Sequence, residues 1–161
     1  MILFALGLGL ILLGGLAGLG FDRRPILADR LFKWSAVGGC LVALVPAVGR
    51  LLGVAGAADG LASSMARPPM AWFDIDALSA WFLLVVLGVG STIVAYGVPY
   101  LMPERGRRRV AVANLILAAL IVALSGVVTA RTMVAFLVSW EVMALAAWLL
   151  VIFEHEKPEV W

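Results

Sequence analysis

Residues 132–153, TMVAFLVSWEVMALAAWLLVIF, decide the fold class of this chain. A membrane-spanning helix needs about 20 mostly apolar residues, and this run reaches that length. A single carboxylate, Glu141, lies near its middle. A charged side chain at the centre of a bilayer costs roughly 2.5–3.5 kcal/mol on insertion scales, so it marks a functional position or has a partner. The run therefore predicts a spanning helix with one residue of special interest.

Four other runs of the chain are equally long and apolar, at about residues 1–20, 34–54, 76–99 and 110–130. The 161 residues are 64% hydrophobic and 14% charged, whereas a soluble domain carries about 25% charged residues. The runs lack an alternating polar period, which favours helices over a barrel. We predict an all-α membrane protein, with residues 1–161 forming one membrane domain of about five transmembrane helices. Too few residues remain for a soluble catalytic domain.

The basic residues predict an orientation rather than a nucleic-acid partner. One side of the five runs carries nine of them: Arg23, Arg24, Arg30, Lys33, Arg105, Arg107, Arg108, Arg109 and Lys157. The other side carries Arg50, Arg67 and Arg131. Because basic loops stay in the cytoplasm, we expect the N-terminus outside and the C-terminus inside. The expected partners include the lipid bilayer and no nucleic acid.

Polar residues at the ends and inside the runs have simple structural interpretations. Asp74 precedes the third run and Asp76 begins it; both are expected to cap its first turn, with a role in external ion access as the alternative. Arg131 is expected to anchor the membrane interface. Asn114 and Ser125 are expected to make interhelical hydrogen bonds. Since the chain has one cysteine and one histidine, we predict no metal site, iron–sulfur cluster, haem or other cofactor.

Two segments resemble a known family of membrane proteins. Residues 140–150 (WEVMALAAWLL), followed by FEHE at 153–156, resemble the fifth helix of the antiporter-like subunits of respiratory complex I, Mrp-type antiporters and group 4 hydrogenases. Residues 76–82 (DALSAWF), with Tyr96 and Tyr100, resemble the third helix. The ending FEHEKPEV is most similar to hydrogenase-4 component B and the formate hydrogenlyase branch.

The resemblance implies a role for Glu141 as the fifth-helix glutamate, which pairs with a lysine on the seventh helix and gates proton movement. The chain would then be a non-catalytic subunit of an ion-translocating oxidoreductase complex in a prokaryotic inner membrane. Its partners would be peripheral hydrogenase or dehydrogenase subunits, together with membrane subunits that supply the missing helices and lysine. The alternative for Glu141 is a carboxyl group hydrogen-bonded to neighbouring helices.

Helical spacing places Ala144, Leu145 and Trp148 on the same face as Glu141, and Ser139 on another. We expect Trp148 to fill the bundle. At the cytoplasmic end of the same helix, Glu154, His155 and Glu156 would form a proton-collecting cluster or, as we prefer, an ordinary solvated helix end.

The family pattern has about fourteen helices in two inverted repeats, whereas this sequence corresponds to a truncated module of five. Its two lysines, Lys33 and Lys157, lie outside all five runs, at the expected membrane interfaces. Two hypotheses follow. In the first, the chain contributes part of a proton pathway that a partner completes. In the second, it is a structural or assembly subunit that moves nothing. A free-standing transporter is a third, weaker alternative.

Overall fold

The computed structural model describes residues 1–20, 25–53, 72–101 and 107–154. This part of the chain forms five α-helices: α1 (Ile2–Gly20), α2 (Pro25–Leu51), α3 (Ala77–Leu101), α4 (Arg107–Thr129) and α5 (Met133–Glu154). Each contains a segment long and apolar enough to cross a membrane. The described residues contain one isolated β-bridge, between Phe73 and Ala130, and no β-strand beyond it. The predicted fold class is confirmed.

Helix α2 differs most from its predicted span. It begins at Pro25, whereas the apolar run begins near residue 34, because a helix can start in a charged segment that lies outside the hydrocarbon. Proline suits the first helical position, where its missing N–H would have no helical partner. The helix ends at Leu51, and Gly53 follows with φ 70°, the left-handed conformation typical of helix C-termini.

Helix α4 lies at the centre of the bundle. It packs against α1, α3 and α5, and more weakly against α2, while α1 and α3 also pack against α2. Helix α5 has its extensive contact with α4 and none of comparable extent with another described helix. The arrangement is therefore a four-helix group with α5 attached through α4.

Small residues allow the closest helix approach, between α1 and α2. A methyl group added at Gly7 would lie 2.6 Å from the carbonyl oxygen of Gly39, and one at Gly39 would lie 2.7 Å from Cγ1 of Ile11. Such contacts require glycine at both positions, because the obstacle at Gly7 is backbone. Among the described residues, the largest fully buried side chains are those of Phe32, Ile11, Leu83 and Leu87.

The helices run alternately up and down. Consequently Met1, Leu51, the start of α3 and the turn between α4 and α5 share one end of the bundle. We call this the Arg131 end, and the opposite end, where α2 begins, the Pro25 end. The charge pattern predicts that the Arg131 end faces outside.

Candidate functional site

Glu141 lies on the exposed side of α5. The opposite side packs on α4 through small residues, with Ala135 and Ala146 buried and Ser139 half-buried. A methyl group at Gly126 of α4 would lie 2.7 Å from Oγ of Ser139, which fixes the side of α5 that faces α4. Glu141 comes two positions after Ser139, which corresponds to a rotation of about 200° around the helix axis. The carboxyl group of Glu141 is therefore directed away from α4.

The surface around Glu141 is continuous and apolar. We call it the Glu141 face and define it by residues one and two turns before and after the glutamate, all exposed: Val134, Leu137, Ala144, Leu145 and Trp148. Trp148 is 60% exposed, so the expectation that it fills the bundle is wrong for the bundle these helices form. The expectation that Glu141 shares a face with Ala144, Leu145 and Trp148, and not with Ser139, agrees with the geometry.

Within the described part of the chain, no hydrogen bond or ion pair reaches Glu141. The described lysine, Lys33, lies on α2 near the Pro25 end, and α2 makes no extensive contact with α5. The bundle thus presents an intramembrane carboxyl group at its surface, and none of the described residues supplies its counter-charge. An ionisable residue inside a membrane ordinarily faces a bundle interior or pairs with another group.

The hydroxyl groups of α4 are occupied by its own backbone. Oγ of Ser125 donates to the carbonyl oxygen of Ile121 at 2.8 Å, and Oγ1 of Thr129 donates to that of Ser125 at 2.7 Å. The interhelical hydrogen bond expected of Ser125 is therefore wrong, because the carbonyl four residues earlier is the nearer acceptor. Asn114 is buried at 4% exposure. The hydroxyl groups of Ser125 and Thr129 thus bond to the backbone of α4 itself.

An open cavity of about 490 Å³ lies over α4 between α1 and α5. Its walls are almost wholly hydrocarbon, including Phe4, Leu8, Val122 and Val142. Glu141 is not among its lining residues. Because a buried water molecule needs two to four polar partners, this cavity is poorly suited to hold a chain of water molecules that could conduct protons.

Charged groups do come together at the Arg131 end. Nη2 of Arg131 lies 3.3 Å from Oδ2 of Asp74 and 3.3 Å from Oδ2 of Asp76. Oδ1 of Asp76 accepts a 2.6 Å hydrogen bond from the backbone N–H of Ser79. The hydrogen bonds from Ser79 and the nearby charge of Arg131 hold the pKa of Asp76 below its usual value of 3.8.

The cluster adds to a simple expectation. Asp76 caps α3 as predicted, and Oδ2 of Asp74 accepts a hydrogen bond from Nη2 of Arg131 at 3.3 Å. Arg131 is more than an interfacial anchor, since it joins two carboxylates 57 and 55 residues earlier in the chain. Arg131 is the sole charged residue between α4 and α5, which could have indicated an ion pair at this turn. Its partners could not be identified because they are remote in sequence.

The predicted proton-collecting cluster falls outside this description. His155 and Glu156 are not among the described residues, and Glu154 ends α5 with its side chain undescribed. Among the described residues, no group of three metal-ligating side chains comes together.

The described helices define a multi-helix membrane protein with one acidic side chain, Glu141, in the middle of a described span. A family model described as "NADH-Ubiquinone oxidoreductase (complex I), chain 5 N-terminus" matches residues 70–109, which include all of α3. NADH-quinone oxidoreductase subunit L of Mycobacterium tuberculosis, in strains CDC 1551 / Oshkosh and ATCC 25618 / H37Rv, is 34% identical over 91% of this chain and 24% of its own length. An uncharacterized protein of the H37Rv strain is 33% identical over 54% of this chain and 13% of its own length.

The resemblance to the antiporter-like membrane subunits is confirmed by the match to the complex I chain 5 model and by the similarity to subunit L. It spans about a quarter of the length of the curated subunit L relatives that it matches. No solved structure matches it.

Proposed function

We propose that this chain forms the N-terminal helices of an antiporter-like subunit and contributes part of a proton pathway through Glu141. One observation carries the proposal: the carboxyl group lies in the middle of a membrane span, on a continuous face that no described helix covers. The desolvation cost of a carboxylate in such a place is reduced when a partner of opposite charge lies beside it. A partner helix that covers this face would bring its charge to Glu141.

A buried carboxyl group with a movable cation beside it can hold or release a proton. Burial disfavours the charged form of the carboxyl group, while a nearby ammonium favours it. Movement of a lysine toward or away from Glu141 would therefore switch the group between proton-releasing and proton-holding states. The required lysine and helices would come from another membrane subunit or from a further part of the same polypeptide.

The complex remains part of the proposal. Similarity to NADH-quinone oxidoreductase subunit L supports a complex I-like oxidoreductase in a bacterial inner membrane. The ending FEHEKPEV supports the hydrogenase-4 or formate hydrogenlyase branch of the family as the competing assignment. In both cases electron transfer would take place on peripheral subunits. Mass spectrometry of what co-purifies from native membranes separates the two, because a dehydrogenase supports the first and a nickel–iron hydrogenase the second.

The substitution Glu141→Gln tests the proton pathway. Glutamine keeps the size and hydrogen-bonding capacity of the side chain but cannot ionise. We expect the complex to assemble normally and to lose proton movement coupled to electron transfer. The control is Val85→Gln, which places the same amide at an exposed apolar position of α3, away from the Glu141 face, and should leave coupling intact.

A structural or assembly subunit is the second candidate, and the exposed Glu141 face supports it equally as an interface. That role predicts unchanged coupling in Glu141→Gln membranes, or weakened assembly detected by native electrophoresis. Unchanged coupling in a fully assembled complex would exclude the proton pathway through Glu141.

A further inference from the structure

The turn between α4 and α5 is bound to the segment before α3 by backbone pairing. The N–H of Asp74 donates to the carbonyl oxygen of Thr129 at 2.8 Å, and the N–H of Arg131 donates to that of Trp72 at 2.9 Å. These bonds surround the antiparallel bridge between Phe73 and Ala130. Two segments far apart in sequence are thereby held side by side at the Arg131 end.

Side chains reinforce the same junction. The guanidinium of Arg131 faces two carboxylates, and Asp74 keeps only 12% of its side chain exposed, against 43% for Asp76 and 40% for Arg131. Asp76 uses its two oxygens separately, one toward Arg131 and the other on the first turn of α3. An isolated surface ion pair contributes little, but a network with a nearly buried member is better protected from solvent.

The junction acts directly on α5. Three residues separate the end of α4 at Thr129 from the start of α5 at Met133, and Thr132 caps α5 by accepting the N–H of Ala135 at 3.2 Å. Glu141 follows eight residues after Met133, about 12 Å further along the helix axis. A shift of the turn would therefore be transmitted along a rigid helix to Glu141.

Few other contacts fix α5. Only 17% of its spanning segment is buried inside the bundle, and its extensive contact is with α4 alone. That contact is made through small side chains such as Ala135, Ser139 and Ala146. The ion pairs of Arg131 with Asp74 and Asp76 add a polar constraint next to the start of α5.

We propose that Arg131, Asp74 and Asp76 form an ion-pair latch that fixes the depth and rotation of α5 and so positions Glu141. The latch is a positioning device and takes no part in proton transfer. Its consequence for proton movement rests on the proposed function of Glu141, whereas its effect on α5 does not.

Pulsed electron paramagnetic resonance measures this effect in the full chain reconstituted in lipid bilayers. Spin labels at Val85→Cys of α3 and Leu145→Cys of α5 occupy side chains that are 53% and 52% exposed. The background variant Cys40→Ala removes the single native cysteine. We expect Arg131→Gln to broaden the distance distribution roughly twofold, because an element that loses a constraint samples more local states.

Two matched variants make the result specific. Arg131→Lys keeps the charge and should retain most of the narrow distribution. Arg30→Gln removes an exposed arginine from α2 near the Pro25 end and should leave the distribution unchanged. An unchanged distribution in Arg131→Gln would overturn the latch, and so would equal broadening in all three variants, which would indicate general loosening of the bundle.

The same variants separate the latch from the proposed function. Broadening in Arg131→Gln, rescued by Arg131→Lys, supports the latch whatever Glu141 does. Retained proton coupling in Glu141→Gln membranes contradicts the proton pathway and leaves that distance result standing.

Discussion

Helices α4 and α5 are nearly alike in sequence hydropathy and opposite in burial. Their spanning segments have mean hydropathies of 2.5 and 2.1, yet 50% of the first is buried inside the bundle and only 17% of the second. Helix α4 touches neighbours on several sides, whereas α5 touches α4 along one stripe of small residues. Hydropathy thus identifies a span but not the number of helices that cover it, because lipid and protein interior are equally apolar.

The two helices also treat their polar groups differently. Ser125 and Thr129 of α4 are fully buried and bond to the carbonyl oxygens of their own helix. Glu141 of α5 has no partner within the described residues and lies at the surface of the bundle. A polar group that bonds within its own helix is a local structural feature, whereas an intramembrane carboxyl group without a partner among the described residues is the observation on which the proposed contact with a further helix rests.

The largest expected effect comes from making the same alanine-to-leucine substitution in each of the two helices. Ala118 of α4 is fully buried, and a methyl group at Gly15 of α1 would lie 3.2 Å from its Cβ. Ala118→Leu should therefore destabilise the bundle by about 1–3 kcal/mol through overpacking. Ala144→Leu, on the exposed Glu141 face, should change stability little. Unfolding in mixed micelles measures both, and equal losses would contradict the difference in burial.

A smaller effect tests the single stripe that joins the two helices. In Gly126→Ala the new methyl group would lie 2.7 Å from Oγ of Ser139, whereas the nearest atom left by Ser139→Ala would be its Cβ, at 3.3 Å. The stability loss of the double variant should be smaller, by about 1 kcal/mol, than the sum of the losses in Gly126→Ala and Ser139→Ala. A double-mutant cycle measures this coupling, and strict additivity would mean that the two residues do not touch.

Removal of the cap at Asp76 should have an effect of similar size. Asp76→Ala is expected to cost about 1 kcal/mol, because the N–H of Ser79 loses its acceptor. The native pKa of Asp76 is lowered, so its contribution is present above its usual value of 3.8 and is lost as the pH falls through the lower native value. Stability measured between pH 5 and pH 2 should therefore fall less in Asp76→Asn than in the native chain.

The smallest effect is expected at Ser125 despite its complete burial. Its hydroxyl group bonds to a carbonyl oxygen of the same helix, so Ser125→Ala removes a donor without leaving a buried polar group unpaired. Stability should change by less than about 0.5 kcal/mol. A loss of several kcal/mol would show that Ser125 has a second role, across helices, that the internal hydrogen bond does not describe.

The number and type of the helices could be predicted from the sequence because each span must be apolar over its whole length. Glu141 stood out for the same reason, as a single charge in such a run. The start of α2 at Pro25 was missed because a helix can extend beyond the membrane into charged sequence, where hydropathy gives no signal.

Tertiary contacts were less accessible from the sequence. The pairing of Arg131 with Asp74 and Asp76 joins residues more than fifty positions apart, and no local pattern encodes it. The exposure of Trp148 was missed because a tryptophan in an apolar run is equally compatible with a bundle interior and an outer surface. Helix α5 contacts α4 through the small residues Ala135, Ser139 and Ala146. The spacing of these residues is recognisable as a contact side only once the neighbouring helix is known.

Photo-cross-linking from the Glu141 face tests the central claim most directly. A photoreactive side chain at Leu145, one turn from Glu141, would be activated in native membranes, with the same group at the exposed Val85 of α3 as control. We expect Leu145 to cross-link to a transmembrane peptide that carries a lysine, whether on another subunit or further along the same polypeptide. Adducts with lipid alone at Leu145 would show that the Glu141 face meets the bilayer and would contradict the proposed proton pathway.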